Sequence, residues 1–466
     1  MILYEKNLFH IIAANIFYLL IVAGTNFVLP KFTSIEIYAA TKEYTLYLTT
    51  YSSILTFGYL QGMYVEYGGK KLEVIDPKEI GINMISFFGF MLPIALGIFA
   101  FGVYRESVVI SVLGIGIFAS NLQYYYQMLY QATGDFKAYG MALNVSRVAS
   151  LLAYLILIFV VRTDSVLLFV GIDPLIGILS AVYLTAKLYK KIPFLNHAAF
   201  SIKTVKKNIR GGFVLMLGDF VTKFFSSLDR WFVKTLMDTF SFAMYSFAVS
   251  MENLVNTFMT PITVSMFNYF CKKPPVEGIR RIKESTLIYS FVIIAGAYPA
   301  KWILEHFMQE YMASSVVIFP LFAAQGLSAV IKGIYVNKYK AEGEQRRYLF
   351  QMISMLALAA MLNAVFYYGY QSTASFAIAT LLTNIIWLIL CEYQSREIRY
   401  SKKACASIVI LLTVYMVTGY GCSSIVGCLI YLATGILVGV TLMRESFFFV
   451  IESFIGTVRS KLSKAK

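Results

Sequence analysis

The chain has 466 residues, of which 59% are hydrophobic and only 14% are charged. Its mean hydropathy of +0.69 excludes a soluble globular protein, because a soluble chain of this length needs far more polar surface. The formal net charge of +15 would suggest nucleic acid in a soluble protein, but in a membrane protein the positions of the basic residues matter more than their sum. We therefore predict an all-α polytopic membrane protein with no nucleic-acid partner.

Apolar runs of about 20 residues predict about fourteen membrane-spanning helices. The first run is too long for the apolar region of a signal peptide and lacks a small-residue cleavage site, so we expect an uncleaved first span. In chain order the spans lie near 8–29, 44–65, 81–104, 108–131, 139–162, 165–186, 211–236, 240–270, 284–304, 313–336, 349–368, 373–391, 404–420 and 425–443.

The basic residues orient these spans, because cytoplasmic connections are enriched in Lys and Arg. With the N-terminus inside, thirty of the 40 Lys and Arg residues fall on inside segments. Four fall on outside segments: Lys31, Lys42, Arg105 and Arg162. This alternation predicts that both termini are cytoplasmic.

The longest connection, a strongly basic one, separates two groups of six spans. The groups show weak similarity, for instance between 117–130 and 321–335, which favours a parallel repeat with its axis along the membrane normal. We expect an N-terminal six-helix lobe at 1–188, the basic connection at 189–210, a C-terminal six-helix lobe at 211–392, two additional helices at 404–443 and a basic cytoplasmic tail at 444–466.

Span 7, GGFVLMLGDFVTKFFSSLDRWFVKTL, is the most informative stretch for function. A charged residue on a membrane-spanning helix costs several kcal/mol, so such residues are rare and face protein or a wet cavity. Asp219, Lys223 and Arg230 fall on one face of a continuous helix. At about 1.5 Å per residue, Lys223 lies roughly 18 Å from the inner start of the span. This face predicts one wall of a charged, hydrated cavity, which points to transport.

Span 4 carries Gln123 and Gln127 one helical turn apart, among several tyrosines. Amides and aromatic faces suit sugar hydroxyls and the apolar face of a pyranose. Hydrogen bonding between helices is the alternative interpretation. We count both glutamines among the candidate substrate-binding residues.

Further charged side chains lie within other spans. Arg147 and Glu252 lie too deep to reach the interface easily, whereas anchoring at the interface is the alternative for Arg230 and Lys332. The full set of predicted substrate-binding residues is Arg147, Lys223, Arg230, Lys332, Gln123 and Gln127.

Three carboxylates are candidates for ion coupling, because a buried carboxylate can bind a proton or a cation. They are Asp173, Asp219 and Glu252. The alternative is a static ion pair, most directly between Asp219 and Lys223 at positions i and i+4.

The sequence gives no sign of a metal site or a cofactor. Five cysteines are scattered without a CxxC pair, and the three histidines lie in unrelated segments.

Four stretches carry a resemblance to a known family. They are EKN at 5–7, PKF at 30–32, FGYLQGMYVEYGGKK at 57–71 and SSLDRWFVKTLMDTFSFAMYSFAVS at 226–250. Through them the chain resembles the polysaccharide-biosynthesis oligosaccharide flippases (Wzx-like) of the multidrug/oligosaccharidyl-lipid/polysaccharide exporter superfamily. TSIEIYAAT at 33–41 departs from the family, which often has glycines in this first external turn.

The resemblance implies a flippase in the inner (cytoplasmic) membrane. Its substrate is an undecaprenyl-pyrophosphate-linked oligosaccharide of O-antigen in lipopolysaccharide, capsule or another surface polysaccharide, moved from the inner to the outer leaflet by alternating access. Membrane lipids, the polysaccharide polymerase and the chain-length machinery are the implied partners.

Two other functions remain open at this point. One is a drug or metabolite exporter of the same superfamily, driven by a proton or sodium gradient. The other is an enzyme, which we do not expect, because a polymerase needs a large outer loop and a glycosyltransferase needs a cytoplasmic domain.

Overall fold

A computed structural model of the chain describes residues 21–22, 24–134 and 136–452. The beginning of the predicted first span and the end of the predicted basic tail lie outside the described residues.

Every regular element in the described residues is helical. The helices are α1 at 21–22 and 24–32, α2 Ile35–Ile54, α3 Tyr59–Tyr67, α4 Pro77–Tyr104, α5 Val108–Thr133, α6 Phe136–Ile156, α7 Val166–Lys191, α8 Ile202–Phe225, α9 Leu228–Leu236, α10 Thr239–Cys271, α11 Val276–Ile294, α12 Ala297–Phe307, α13 Ser315–Val330, α14 Asn337–Ala341, α15 Gln345–Gly369, α16 Thr373–Gln394, α17 Lys402–Gly421, α18 Ser424–Leu442 and α19 at 444–452.

Ten helical segments of the described chain are long and apolar enough to cross a membrane, and α8 with α9 makes an eleventh if this bent pair counts as one span. The all-α polytopic fold class is confirmed. The count of fourteen and the cytoplasmic location of both termini stay predictions.

The chain forms two compact units. The first comprises Met1–Lys234 with Asp238–Ala243, and the second comprises Thr235–Met237 with Met244–Lys466. Helix α8 packs within the first unit. The sequence predicts a lobe boundary before α8, at the basic connection. The lobe boundaries predicted from the sequence remain a prediction.

Helix α2 begins earlier than the predicted second span because Ser34 caps it. The Ser34 hydroxyl accepts a hydrogen bond from the Ile37 N–H at 3.3 Å, which satisfies a donor of the first turn. The segment expected as an external turn is therefore mostly helix. The predicted second span is also broken, since Phe57 and Gly58 adopt positive φ angles of 50° and 86° between α2 and α3.

Helices α3 and α8 pack backbone to backbone through glycines. A Cβ added at Gly62 would overlap the Asn208 carbonyl, and one added at Gly212 would overlap the Gly58 carbonyl. Small residues at such crossings let two membrane helices approach closely. This packing holds α8, with its charged side chains, against α3.

The predicted seventh span is bent by 58° between α8 and α9. Helix α9 docks on α2 through Trp231, whose indole N–H donates to the Thr50 hydroxyl at 3.1 Å and whose ring stacks on Tyr47 with centroids 5.2 Å apart. Lys234 adds an ion pair with Glu43 at 2.6 Å. The expectation of one continuous face from Asp219 to Arg230 is therefore wrong, because the two ends of that face lie on different helices.

The N-terminus of α10 is capped by Asp238, in the connection after α9. Its carboxylate accepts a hydrogen bond from the Ser241 N–H at 2.8 Å. Hydrogen bonds from the side chain and backbone of Ser241 lower the pKa of the Asp238 carboxyl.

An ion pair stabilises the connection between α16 and α17 in the second unit. Lys283 of α11 is fully buried and lies 2.8 Å from the Glu392 carboxylate of α16. Glu392 also accepts a hydrogen bond from the Tyr400 N–H at 2.7 Å. These contacts join α11, α16 and the residues before α17.

Candidate functional site

A polar cavity of about 510 Å³ lies within the first compact unit. We call it the Lys223 cavity. Its lining consists of hydroxyl and amide side chains, one tyrosine and one lysine: Thr49, Ser52, Ser53, Ser120, Asn121, Gln123, Tyr124, Gln127 and Lys223. The structure thus brings together three of the predicted substrate-binding residues, from two helices that are far apart in the chain.

Helical spacing explains how α2 and α5 each present a polar stripe to the Lys223 cavity. Thr49 and Ser52 lie one turn apart on α2, and Gln123 and Gln127 lie one turn apart on α5. The third wall is α8, whose Lys223 ammonium lies 5.4 Å from the centroid of the Tyr124 ring. Such a cation–π contact orients the ammonium without neutralising its charge.

The carboxylate nearest in sequence to Lys223 has a different partner. Asp219 accepts a hydrogen bond from the Gln61 amide of α3 at 3.3 Å. No ion pair joins Asp219 to Lys223, both of which are described. The alternative of a direct static pair between them is therefore not observed.

A second polar cavity of about 390 Å³ lies in the same unit. We call it the Asp173 cavity. Its polar and charged lining includes Thr25, Asn26, Thr41, Lys42, Tyr44, Thr45, Arg147, Ser150, Tyr154 and Asp173. Asp173 accepts hydrogen bonds from the Ser150 hydroxyl at 3.1 Å and from the Tyr154 hydroxyl at 3.3 Å. Arg147 therefore lines a different cavity from Lys223, although both were predicted to contact the substrate.

Lys42 belongs to the Asp173 cavity and was missed as a site residue. Its ammonium donates to the Asn26 side-chain oxygen at 3.3 Å. The like charge of Arg230 on α9 repels the ammonium. The sequence predicts that Lys42 lies on an outside segment, but it lies within α2. The spacing of Lys42, Thr45 and Thr49 along one helix face is the signal that could have found it.

The two remaining predicted residues lie in the second compact unit. Lys332 lies in the π-helical turn Ile331–Val336 after α13. The negative charge of Glu252, on α10, attracts the Lys332 ammonium. The attraction between these two opposite charges offsets part of the cost of placing each of them among apolar helices. A role in substrate binding or ion coupling stays a prediction for both.

Asn121 of the Lys223 cavity was also missed. Its side chain is 1% exposed, and neither its amide nitrogen nor its amide oxygen has a hydrogen-bond partner among the described residues. The Ser53 hydroxyl of α2, which also lines the cavity, is likewise buried and without a partner among the described residues. Asn121 is two positions from Gln123, so the spacing of the glutamine stripe did not include it.

The described residues bring no group of three or more His, Cys, Asp or Glu side chains together that could hold a metal ion. The chemistry that both cavities offer is hydrogen bonding and charge recognition.

No family model matches the sequence, and no curated protein matches it either. Solved structures do match. A lipid II flippase MurJ in an inward closed conformation aligns over 98% of this chain and 100% of its own, with a TM-score of 0.63 and 14% identity. An inward-facing multidrug resistance MATE family transporter of the MOP superfamily aligns over 81% of this chain and 94% of its own, with a TM-score of 0.55 and 12% identity.

The chain has the fold of these transporters. This result confirms, at the level of the fold, the resemblance drawn from the sequence. A shared fold does not by itself assign a function, so the function has to be argued from the side chains of the two cavities.

Proposed function

We propose that this protein is a flippase that moves an undecaprenyl-diphosphate-linked oligosaccharide from the inner to the outer leaflet of the cytoplasmic membrane. The observation that carries the proposal is the Lys223 cavity, which the Lys223 ammonium lines together with hydroxyl and amide side chains of α2 and α5. The surface polysaccharide it serves is O-antigen, capsule or a similar polymer, and the polymerase and chain-length machinery act after it.

The lining of the Lys223 cavity matches the two chemical parts of such a substrate. An ammonium binds phosphate oxygens as a point charge. Hydroxyl and amide groups both donate and accept hydrogen bonds, as sugar hydroxyls require. The Tyr124 ring, which lines the cavity, suits the apolar face of a pyranose. The prenyl chain needs no polar site, since it stays in the hydrocarbon of the bilayer.

The transport step that we propose is alternating access, in which the cavity loads its cargo from the cytoplasmic side and releases it outside. Asp173, Asp219 and Glu252 are the carboxylates through which a proton or sodium gradient could drive that step. Asp173 is the first to test, because it lines a cavity together with Lys42 and Arg147. Protonation or cation binding there would change the net charge of that cavity.

A second candidate function is export of a small drug or metabolite, driven by a proton or sodium gradient. The Asp173 cavity favours it, since it combines a carboxylate with two bases in about 390 Å³. Cationic drugs, however, require an acidic binding site, whereas the charge in the Lys223 cavity is positive. Transport of an organic cation would support this second function over the first.

Deletion of the gene tests the flippase proposal directly. We expect lipid-linked oligosaccharide to accumulate on the cytoplasmic face and surface glycan to disappear. Lys223→Met should fail to restore surface glycan, whereas Lys223→Arg should restore it in part because the charge persists. Lys187→Met is the matched control, since Lys187 also lies over a tyrosine ring, at 5.8 Å from Tyr183, but lines neither cavity. Normal surface glycan in the Lys223→Met strain would contradict the proposal.

A further inference from the structure

The Lys223 cavity contains an unsatisfied amide in its wall. Asn121 is 1% exposed, it lines the cavity, and both of its amide atoms lack a partner among the described residues. Ser53, also 1% exposed, adds a hydroxyl without a partner on the α2 side. Two helices therefore each contribute an unpaired polar group to one cavity.

Unpaired polar groups of this kind are expensive. Leaving a buried donor or acceptor unsatisfied costs roughly 1–3 kcal/mol, so natural proteins keep few of them. The cost is recovered when a bound molecule supplies the missing hydrogen bonds. A site built in this way also discriminates strongly, because an analogue that lacks the matching groups leaves the protein atoms unpaired.

We propose that Asn121, assisted by Ser53, recognises an uncharged sugar of the lipid-linked substrate. This inference rests on the proposed flippase function and names the part of the cargo that the cavity recognises. The Asn121 side chain presents two donor hydrogens and one acceptor oxygen side by side. A vicinal pair of hydroxyls, or a hydroxyl beside an acetamido group, offers the complementary acceptor and donor.

A sugar that placed a carboxylate against Asn121 would fit this part of the cavity less well. A carboxylate only accepts hydrogen bonds, so it would satisfy the Asn121 nitrogen and leave the Asn121 oxygen unpaired. Among the described lining residues Lys223 supplies the positive charge. The diphosphate of the cargo requires that charge. Asn121 and Ser53 thus select the sugar, while Lys223 holds the diphosphate.

Binding to the purified full-length protein in nanodiscs tests this division. The probes are undecaprenyl diphosphate alone and the same lipid carrying a neutral hexose, an N-acetylhexosamine or a uronic acid. We expect at least one of the two uncharged sugars to tighten binding about tenfold over the bare lipid, as two net hydrogen bonds would. We expect Asn121→Leu to abolish this gain and to leave the affinity for the bare lipid unchanged.

Asn83→Ala is the matched control. Asn83 is a buried asparagine of α4 that accepts a hydrogen bond from the Tyr59 hydroxyl at 3.2 Å and does not line the cavity. It should keep the full gain from the sugar. If Asn121→Leu fails to fold, Ser53→Ala takes its place, with an expected loss of about threefold to fivefold confined to the sugar-bearing probe.

The outcomes separate the two levels of the proposal. A wild-type protein that binds none of the lipids overturns the flippase proposal and this inference with it. Equal binding of all four lipids, or tightest binding of the uronic acid, overturns the inference and leaves the flippase proposal standing. An Asn121→Leu protein that retains the gain from the sugar, or loses affinity equally for the bare lipid, also overturns the inference.

Discussion

The buried Lys283–Glu392 pair gives the sharpest prediction about stability. Besides the ion pair, the Lys283 ammonium donates to the Tyr335 hydroxyl at 3.2 Å and to the Ile398 carbonyl, and it lies 3.6 Å from the centroid of the Tyr400 ring. Lys283→Met removes all of these polar contacts at once. It leaves the half-buried Glu392 carboxylate without its cation.

The size of the loss follows from the burial of the two groups. Removing one partner of a buried ion pair costs about 3–5 kcal/mol, because the remaining charge is uncompensated. The Glu392 side chain is 18% exposed and keeps the Tyr400 N–H and the Tyr335 hydroxyl as donors, so we expect the lower end, about 3 kcal/mol. In the double variant Lys283→Met with Glu392→Gln the uncompensated charge is gone, and we expect a loss of only about 1 kcal/mol.

Denaturation by SDS in mixed micelles measures the free energy of unfolding of each variant. Lys338→Met is the control, since Lys338 forms its ion pair with Glu342 at 3.6 Å and the Glu342 side chain is 48% exposed. Such a pair contributes about 0–1 kcal/mol. A double variant that is less stable than Lys283→Met, or a single variant no worse than Lys338→Met, would refute the reasoning.

Three further predictions concern packing and energy coupling. Gly62→Leu should force α3 away from α8 and cost about 1–3 kcal/mol or more, whereas Gly97→Leu, where an added Cβ meets nothing within 4 Å, should be nearly neutral in the same SDS titration. Asp173→Asn should abolish the dependence of transport on a proton or sodium gradient while substrate binding persists, and an unchanged dependence in reconstituted vesicles would exclude Asp173 from coupling. An imposed membrane potential, positive on the acceptor side, should speed flipping, because each negative charge moved gains about 2.3 kcal/mol per 100 mV. A flipping rate that is the same at potentials of both signs would mean that almost no net charge moves.

The fold class followed from the sequence because apolar length is a strong signal, but the breaks within spans did not. The bends at Phe57–Gly58 and between α8 and α9 interrupt runs that are long and apolar on average, so a hydropathy profile predicts one helix in each case. Tertiary contacts decide such breaks, as with Trp231, which draws α9 onto α2. A hydropathy profile contains no information about contacts of that kind.

The candidate site was predictable where polar residues repeat with the helical period. Gln123 and Gln127 were found in this way, and Lys223 was found as a charge deep in an apolar run. Lys42 was missed because the start of α2 depends on the Ser34 cap rather than on hydropathy. Asn121 could not be found, since its significance lies in the absence of a hydrogen-bond partner among its described neighbours, which only the packed structure reveals.

The most direct test of the flippase proposal is translocation in proteoliposomes that contain the purified protein and no other. The substrate is a fluorescent undecaprenyl-diphosphate-linked oligosaccharide placed in both leaflets, and a membrane-impermeant reagent quenches the outer leaflet. We expect the wild-type protein to bring the inner pool to the quencher, Lys187→Met to do the same, and Lys223→Met to leave the inner pool protected. An inner pool that stays protected with the wild-type protein, or that is exposed equally fast by Lys223→Met, would contradict the account.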